Sequence, residues 1–281
     1  MAGNMAVKLA VLIIFSLAYC LFIILPKRRT VVALAGALAL VLTGALSPPE
    51  AFWAINWNVI GIFVGTLMVA DIFMESRVPA HIAELIIDRA KNTGWAILFI
   101  CLLTGFISAF VENVATVLII APIALTLAKK LKINPVNMMI AIAVSSNLQG
   151  TATLIGDPPS MLLGGFARMN FWDFFVYQGK PSIFFAVELG ALASFFVLYW
   201  FFRQHKEKLK LIRVEKVRSY FPAGLLLALI VLLAFSSFLP FDNSAGAICM
   251  VCGVIALVWR SSHLKAPFFE GLRKLDWDTT L

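Results

Sequence analysis

Seven stretches of this chain are apolar almost without interruption: Leu9–Leu25, Thr30–Leu46, Asn58–Met74, Val136–Met169, Pro181–Phe202, Phe221–Leu239 and Ala245–Trp259. Several approach the roughly 20 residues that a helix needs to cross a bilayer. Each predicts a membrane helix, and together they predict an all-α polytopic membrane protein. Between the third and fourth stretches lie two shorter apolar arms, Trp95–Phe110 and Val114–Ala128. Their turn reads VENVAT, with Glu112 and Asn113 at the tip. Each arm rises roughly 24 Å at 1.5 Å per residue, short of the ~30 Å hydrocarbon core. Length therefore favours a re-entrant hairpin ending inside the membrane over two full spans with a polar outer turn.

The fourth stretch breaks its own pattern. Residues 145–159 read SSNLQGTATLIGDPP, a dense polar run between an apolar helix at Val136–Val144 and apolar residues at Met161–Met169. Gly150 and Gly156 permit backbone angles that other residues resist. Pro158 and Pro159 remove two donors, and Pro158 drives Asp157 out of the α region. One span thus divides into two half-helices, with residues 147–158 expected non-helical at membrane depth and packed near the turn at 112–116. Unwound backbone at that depth is tolerated only inside protein or beside a water-filled cavity. Half-helix ends and freed carbonyls can bind ions there. Ser145, Ser146, Asn147, Thr151 and Thr153 add neutral oxygens of the kind that suit Na⁺. Asp157 adds a carboxylate where carboxylates are costly, which marks it as a coupling candidate, with Glu112 next. The alternative is a polar external loop between two short helices.

Charge gives a topology. All but Lys8, Arg168 and Lys180 of the 23 Lys and Arg fall on one side if the N-terminus is outside and 95–128 is a hairpin returning to its own side. Retention of positive charge in the cytoplasm then orients the chain in the cell (inner or plasma) membrane. The net charge of +8 is topological, and nucleic acid is set aside as a partner. The linker at 75–93 carries Ile82, Leu85, Ile86 and Ala90 at helical spacing and predicts an amphipathic helix over about 76–93, lying on the cytoplasmic surface. His81 within it reads as a solvated surface residue. The first apolar stretch follows Lys8 like a signal peptide, but no small-x-small cleavage site follows. The CMVC pair, Cys249 and Cys252, sits in an apolar run without a partner pair or histidine cluster, so packing explains it better than metal or redox chemistry.

A short internal match adds symmetry. EAFWAINWN at 50–58 aligns with EGLRKLDWD at 270–278, pairing Glu50 with Glu270 and Trp57 with Trp277. Glu50 falls outside and Glu270 inside, so the two units are inverted. A first unit would cover 1–203: three spans, the amphipathic helix, hairpin 95–128, broken span 134–170 and span 181–203. A basic linker, 204–220, would lead to the start of a second unit over 221–281 that lacks its own hairpin and broken helix.

SSNLQGTATLIGDPPS resembles the SN-x-GG-TATLIGDPPN pattern of the arsenite-permease and P-protein branch of the ion-transporter superfamily, which also includes NhaD-type antiporters and divalent anion–sodium symporters. ENVATVLIIAP resembles that branch's hairpin tip, DNVTTVLLLAP. The resemblance covers essentially the whole chain. It implies an elevator-type or rocking secondary transporter whose site gathers Asn113 and Thr116 at the hairpin tip and Ser146, Asn147, Gly150, Thr151 and Asp157 in the broken helix. Gln149 replaces a glycine of the pattern, Ser160 an asparagine and Glu112 an aspartate. GDPP, rather than the GTP of the dicarboxylate branch, argues mildly against a sodium–dicarboxylate symporter.

The expectation is a permease that moves an ion or small anion, coupled to H⁺ or Na⁺, with no cofactor and no resident metal. Arsenite or inorganic-anion efflux, citrate-like uptake and cation/proton exchange stay open. A non-transporting membrane subunit is the competing class. An intramembrane enzyme is disfavoured, because no Ser/His, Asp/Asp or His–Glu–His arrangement lies within the spans. A site of this design is built from two hairpin tips and two broken helices. The chain is therefore expected not to transport alone but to be completed by another segment, another chain or a second copy as a homodimer.

Overall fold

Apolar runs free of helix breakers become helices, and the breakers mark their ends. The structure, a computed structural model, describes residues 2–131, 134–207, 216–238 and 244–264. Among them it forms α1 (Ala2–Ile24), α2 (Arg29–Leu42), α3 (Pro48–Ala54), α4 (Trp57–Glu75), α5 (Val78–Arg89) and α6 (Thr93–Ser108). There follow α7 (Asn113–Leu131), α8 (Pro135–Gly150), α9 (Pro158–Ala167), α10 (Ile183–Phe202), α11 (Phe221–Ser236) and α12 (Ser244–Leu264). The described strands are one short antiparallel pair, Val176–Tyr177 with Lys180–Pro181. Helices α1, α4, α7, α10 and α12 are long and apolar enough to cross a membrane, and α6 and α11 are shorter apolar helices. Large side chains such as Leu12, Phe106, Leu118, Phe166, Leu189 and Phe235 face outward, as they can where the surrounding solvent is hydrocarbon. The chain is an all-α polytopic membrane protein.

Proline at the first turn and a polar cap start many of these helices. Ser47 and Glu50 form a capping box on α3, Asn92 caps α6, Asn134 caps α8 and Asp157 caps α9. Pro122 lies inside α7, where Thr126 donates to its carbonyl. Arg168, in the left-handed region, ends α9.

The chain divides into two compact units, with the boundary between Trp57 and Asn58. In the first, α1 packs along α2, and Gly36 faces Ala18. The Trp57 indole donates to Phe52 O at 3.2 Å.

The second unit holds two main apolar cores. One joins α5, α6, α7, α8 and Phe202 of α10. The other joins α4, α11 and α12 with Leu154, Ile155, Met161, Phe171 and Phe174. Helices α4 and α12 run parallel at close range through small residues, as membrane helices do when packing rather than water drives them together. Asn58 Oδ1 accepts from Gly246 N at 2.7 Å. A Cβ on Gly61 would lie 3.1 Å from Gly246 Cα, and one on Gly65 would collide with the Cys249 backbone. The same register ends in charge: Arg260 donates to Asp71 at 2.8 Å and Glu75 at 2.6 Å. Elsewhere, Gly94 N and Thr93 N donate to His205 O and Glu207 O, each at 2.9 Å, and Arg218 N donates to Ser76 O at 3.0 Å. The linkers at both ends of the 204–220 segment are thus pinned to the start of α6 and the end of α4.

Several expectations shift. Helix α5 buries Ala83, Glu84 and Ile87, while Ile82 is exposed. It packs against α6 and α7. Ile82, Leu85 and Ile86 line an open groove of about 570 Å³ with Phe99, Leu102 and Phe106. The last predicted span ends at Trp259, but α12 continues to Leu264, and Arg260 within it is buried at its carboxylates. Cys249 and Cys252 are buried and free, as packing predicts, but Cys20 is exposed. Helix α7 reaches Leu131, longer than its predicted arm. The repeat partner at 270–278 and the linker core at 208–215 lie outside the described residues.

Candidate functional site

Four helix ends meet at the break. Helices α6 and α8 arrive with their carbonyl ends, and α7 and α9 depart with their N–H ends. The break itself is shorter than the sequence suggests. Helix α8 continues through Ser146 and Asn147 to Gly150, and only 151–157 is non-helical. The polar side chains before Gly150 do not unwind the helix, because they bond back to it or across it: Asn147 Nδ2 donates to Ala143 O at 2.9 Å.

The unwound stretch is enclosed. Ala152, Thr153, Leu154, Ile155 and Asp157 are all buried, as freed backbone in a membrane must be. Leu154 and Ile155 dock into the core of α4, α11 and α12. The Thr153 hydroxyl donates to Ala109 O in the hairpin turn. Gly156 is a glycine for a steric reason: a Cβ there would overlap Gly150 O and approach Ala109 O and Ser108 O at 2.9 Å.

The hairpin tip is bound to α8 by a chain of hydrogen bonds. Ser108 Oγ donates to Asn113 Oδ1 at 2.5 Å and contacts Ser146 Oγ at 2.9 Å. Ser146 Oγ lies 3.2 Å from Asn113 O, and Asn113 Nδ2 donates to Asn147 Oδ1 at 3.3 Å. Gly150 lies so close to the Asn113 amide that any Cβ would displace it. Ser146 is fully buried, Asn113 is half-buried and Asn147 is exposed, so the network opens outward at its two amides. Thr151, also half-buried, donates to Leu148 O at 2.8 Å. The arrangement is neutral, rich in oxygens and amides, and able to hold a small ion without covalent chemistry.

The predicted residues are brought together with different duties. Asn113, Ser146, Asn147, Gly150 and Thr153 join hairpin and break. Thr116 is buried and donates to Glu112 O at 3.1 Å, within its own helix. Glu112 accepts from Val114 N at 3.0 Å and Ala115 N at 2.9 Å, which caps α7. Asp157 accepts from Ser160 N at 2.9 Å and caps α9. Both carboxylates thus sit at the positive ends of helices. Gln149, where the family pattern has glycine, turns away from the amides: its Cγ lies 2.9 Å from where a Gly105 Cβ would stand.

Sequence reasoning passed over three residues. Ser108 was one serine at the end of an apolar arm, with no signal of its role. Arg260 could have been found from Asp71 and Glu75, which share a helix face at i, i+4 and require a cation. Glu188 is a lone carboxylate in an apolar span, a signal in itself.

Comparison with known proteins gives a consistent picture. The citrate transporter family (CitMHS) matches residues 19–280. An uncharacterized transporter of Mycobacterium tuberculosis is 26% identical over 281 residues, 95% of this chain and 64% of its own length. The P protein of Mus musculus is 27% identical over 191 residues, 65% of this chain and 23% of its own length. The putative transporter arsB of Dictyostelium discoideum is 24% identical over 185 residues, 66% of this chain and 32% of its own. The chain therefore spans less than two thirds of the length of each of these relatives.

Proposed function

The chain belongs to the citrate transporter family, and from that premise we propose that it carries one binding half of a secondary transporter for an ion or small anion, driven by H⁺ or Na⁺. The observation that supports this most is the junction of hairpin and break, where an unwound, protein-enclosed segment meets the Asn113–Asn147 amide pair across α7 and α8. Backbone left unpaired by a helix costs several kcal/mol in hydrocarbon. Such a break is retained where it binds something. Asn113, Asn147 and Thr151 are the groups that would touch the substrate. Ser146 and Thr153 would hold the two segments in register. Carbonyls of Ser108, Ala109 and Gly150 gather around Gly156, and helix C-terminal ends of this kind suit a cation such as Na⁺. The N-terminus would lie outside, with the basic linkers in the cytoplasm of a plasma or inner membrane.

The test is flux into proteoliposomes reconstituted densely enough for copies of the chain to pair and complete the site, with citrate, arsenite and sulfate as probes. At least one probe should enter faster than into empty vesicles, and Asn147→Ala should abolish that entry while the protein still inserts. Entry of no probe, or entry unchanged in Asn147→Ala, would overturn the assignment.

A further inference from the structure

We propose that Glu188 is the proton-carrying carboxylate of this protein, and that its proton is exchanged through a small neighbouring cavity between α6, α8 and α10, mostly apolar but with a few polar groups in its lining. The proposal rests on the transporter function above and names its coupling ion and residue.

Helix α10 is twenty residues long and overwhelmingly apolar, yet carries one carboxylate, Glu188. A charge on such a helix is costly unless it is paired or serves an ion path. Glu188 is half-buried, and it makes no hydrogen bond or ion pair to any described residue. The other two carboxylates near the break are committed. Glu112 accepts two backbone N–H groups and Asp157 one, so protonating either would loosen the start of a helix that forms the site. Glu188 can gain and lose a proton without unmaking any contact.

Among the described residues, α6 and α8 supply no cation to pair with it. The titratable side chain of α6 is Cys101, and α8 has none. Helix α10 adds Tyr199, and the segment leading into it carries Asp173, Tyr177 and Lys180. A lone carboxylate holds a proton on one of its own oxygens and needs no further ligand.

The cavity gives the proton a route. Its volume is about 50 Å³, and its lining includes Cys101, Gly105, Ser145, Gln149, Ala191 and Ser194. The side chains of Gln149 and Ser194 make no hydrogen bond to described residues, so their polar groups call for water. A water needs a volume of about 10–15 Å³ and two to four polar partners, and the cavity provides both. Glu188 lies three residues before Ala191, on the same helix face and about 4.5 Å along the axis. On the other wall, Ser145 and Gln149 flank Ser146 and Asn147 of the binding network. Water here would link the carboxylate to the helix that binds substrate. A hydronium proton adds to a Glu188 carboxylate oxygen and leaves water behind, and release reverses the step.

Infrared difference spectra between acidic and neutral pH, on the full protein in lipid, read the proton directly. The wild type should show the carbonyl-stretch band of a protonated carboxyl, titrating with pH. Glu188→Gln should lose that band, and Glu188→Asp should retain one at a shifted position. In flux, the stimulation by an inward proton gradient should fall to none in Glu188→Gln, while exchange of substrate across the membrane continues. A band unchanged in Glu188→Gln overturns the proposal whether or not flux is seen. If that variant does not fold, an unshifted band in Glu188→Asp overturns it equally. Flux of no probe in the wild type, with the Glu188 band present, would instead sink the transporter function and leave proton binding at Glu188 supported.

Discussion

Replacing Arg260 with Met removes the cation from a buried charge cluster and leaves Asp71 and Glu75 facing each other one turn apart on α4. Arg260 is 3% exposed, while its partners' side chains are 29% and 26% exposed. Removing one member of a fully buried pair costs roughly 3–5 kcal/mol, because a bare charge is left behind. Here the remaining carboxylates keep about a quarter of their surface in reach of water, which screens them. The Arg260 Nε is also buried without a hydrogen-bond partner, which lowers the worth of the intact cluster. A loss of about 2–3 kcal/mol follows from discounting the buried figure. Adding Asp71→Asn and Glu75→Gln should restore most of it, since the excess negative charge then goes with the cation. The assay is thermal unfolding in detergent, followed by the fraction of protein that stays monodisperse. The single variant should melt several degrees below wild type, and the triple variant close to it. A single variant that melts like the wild type would refute the reasoning, as would a triple variant less stable than the single.

Gly150→Ala should push the Asn113 amide out of place, costing about 1–3 kcal/mol as overpacking does and abolishing substrate flux; retained flux would show that the tip need not touch α8. Thr153→Val keeps the shape but leaves Ala109 O buried without its donor, a cost of about 1–3 kcal/mol, read from the melting midpoint. Asp157→Asn keeps an N-cap as good as the original, so melting and proton coupling should both persist; loss of coupling would return that role to Asp157. In α3, the Ser47 hydroxyl and backbone N–H hold the Glu50 carboxyl below its ordinary value of 4.5. That contribution is present above the ordinary value and is lost as pH falls through the lowered one, so amide exchange in the first turn of α3 should quicken at acid pH and become insensitive to pH in Glu50→Gln.

The break and the hairpin were legible because their chemistry is local. Gly156, Pro158 and Pro159 cannot continue a helix at those positions, and that fact needs no neighbour. The start of the break was misjudged by a few residues, because serine and asparagine can either unwind a helix or bond to it. Which they do depends on Ser108 and Asn113, residues brought close only by the fold. In α5 the residues that pack toward α6 and α7 include Ala83, Glu84 and Ile87, a face that the spacing of Ile82, Leu85 and Ile86 did not mark, because which face a neighbour covers is decided by the tertiary fold. The Arg260 cluster joins residues 189 and 185 positions apart, so only the demand for a counter-ion at Asp71 and Glu75 was visible.

The departure of Gln149 from the family's glycine points to the same division of labour. If its amide faced Asn113 and Asn147, it would add a donor and an acceptor to the binding surface and alter what the site can hold. It instead faces Gly105 and the cavity shared with Ser145 and Ser194. A glycine in place of Gln149 would widen that cavity and leave Ser194 with one polar neighbour fewer, so ordered water there would lose a partner. The side chain at this position therefore acts on the back of α8, beside the cavity that Ala191 and Ser194 of α10 also line, and not on the amides at its front. Substrate contact and proton exchange would be set by opposite faces of one helix, and a change at either face could alter one without the other.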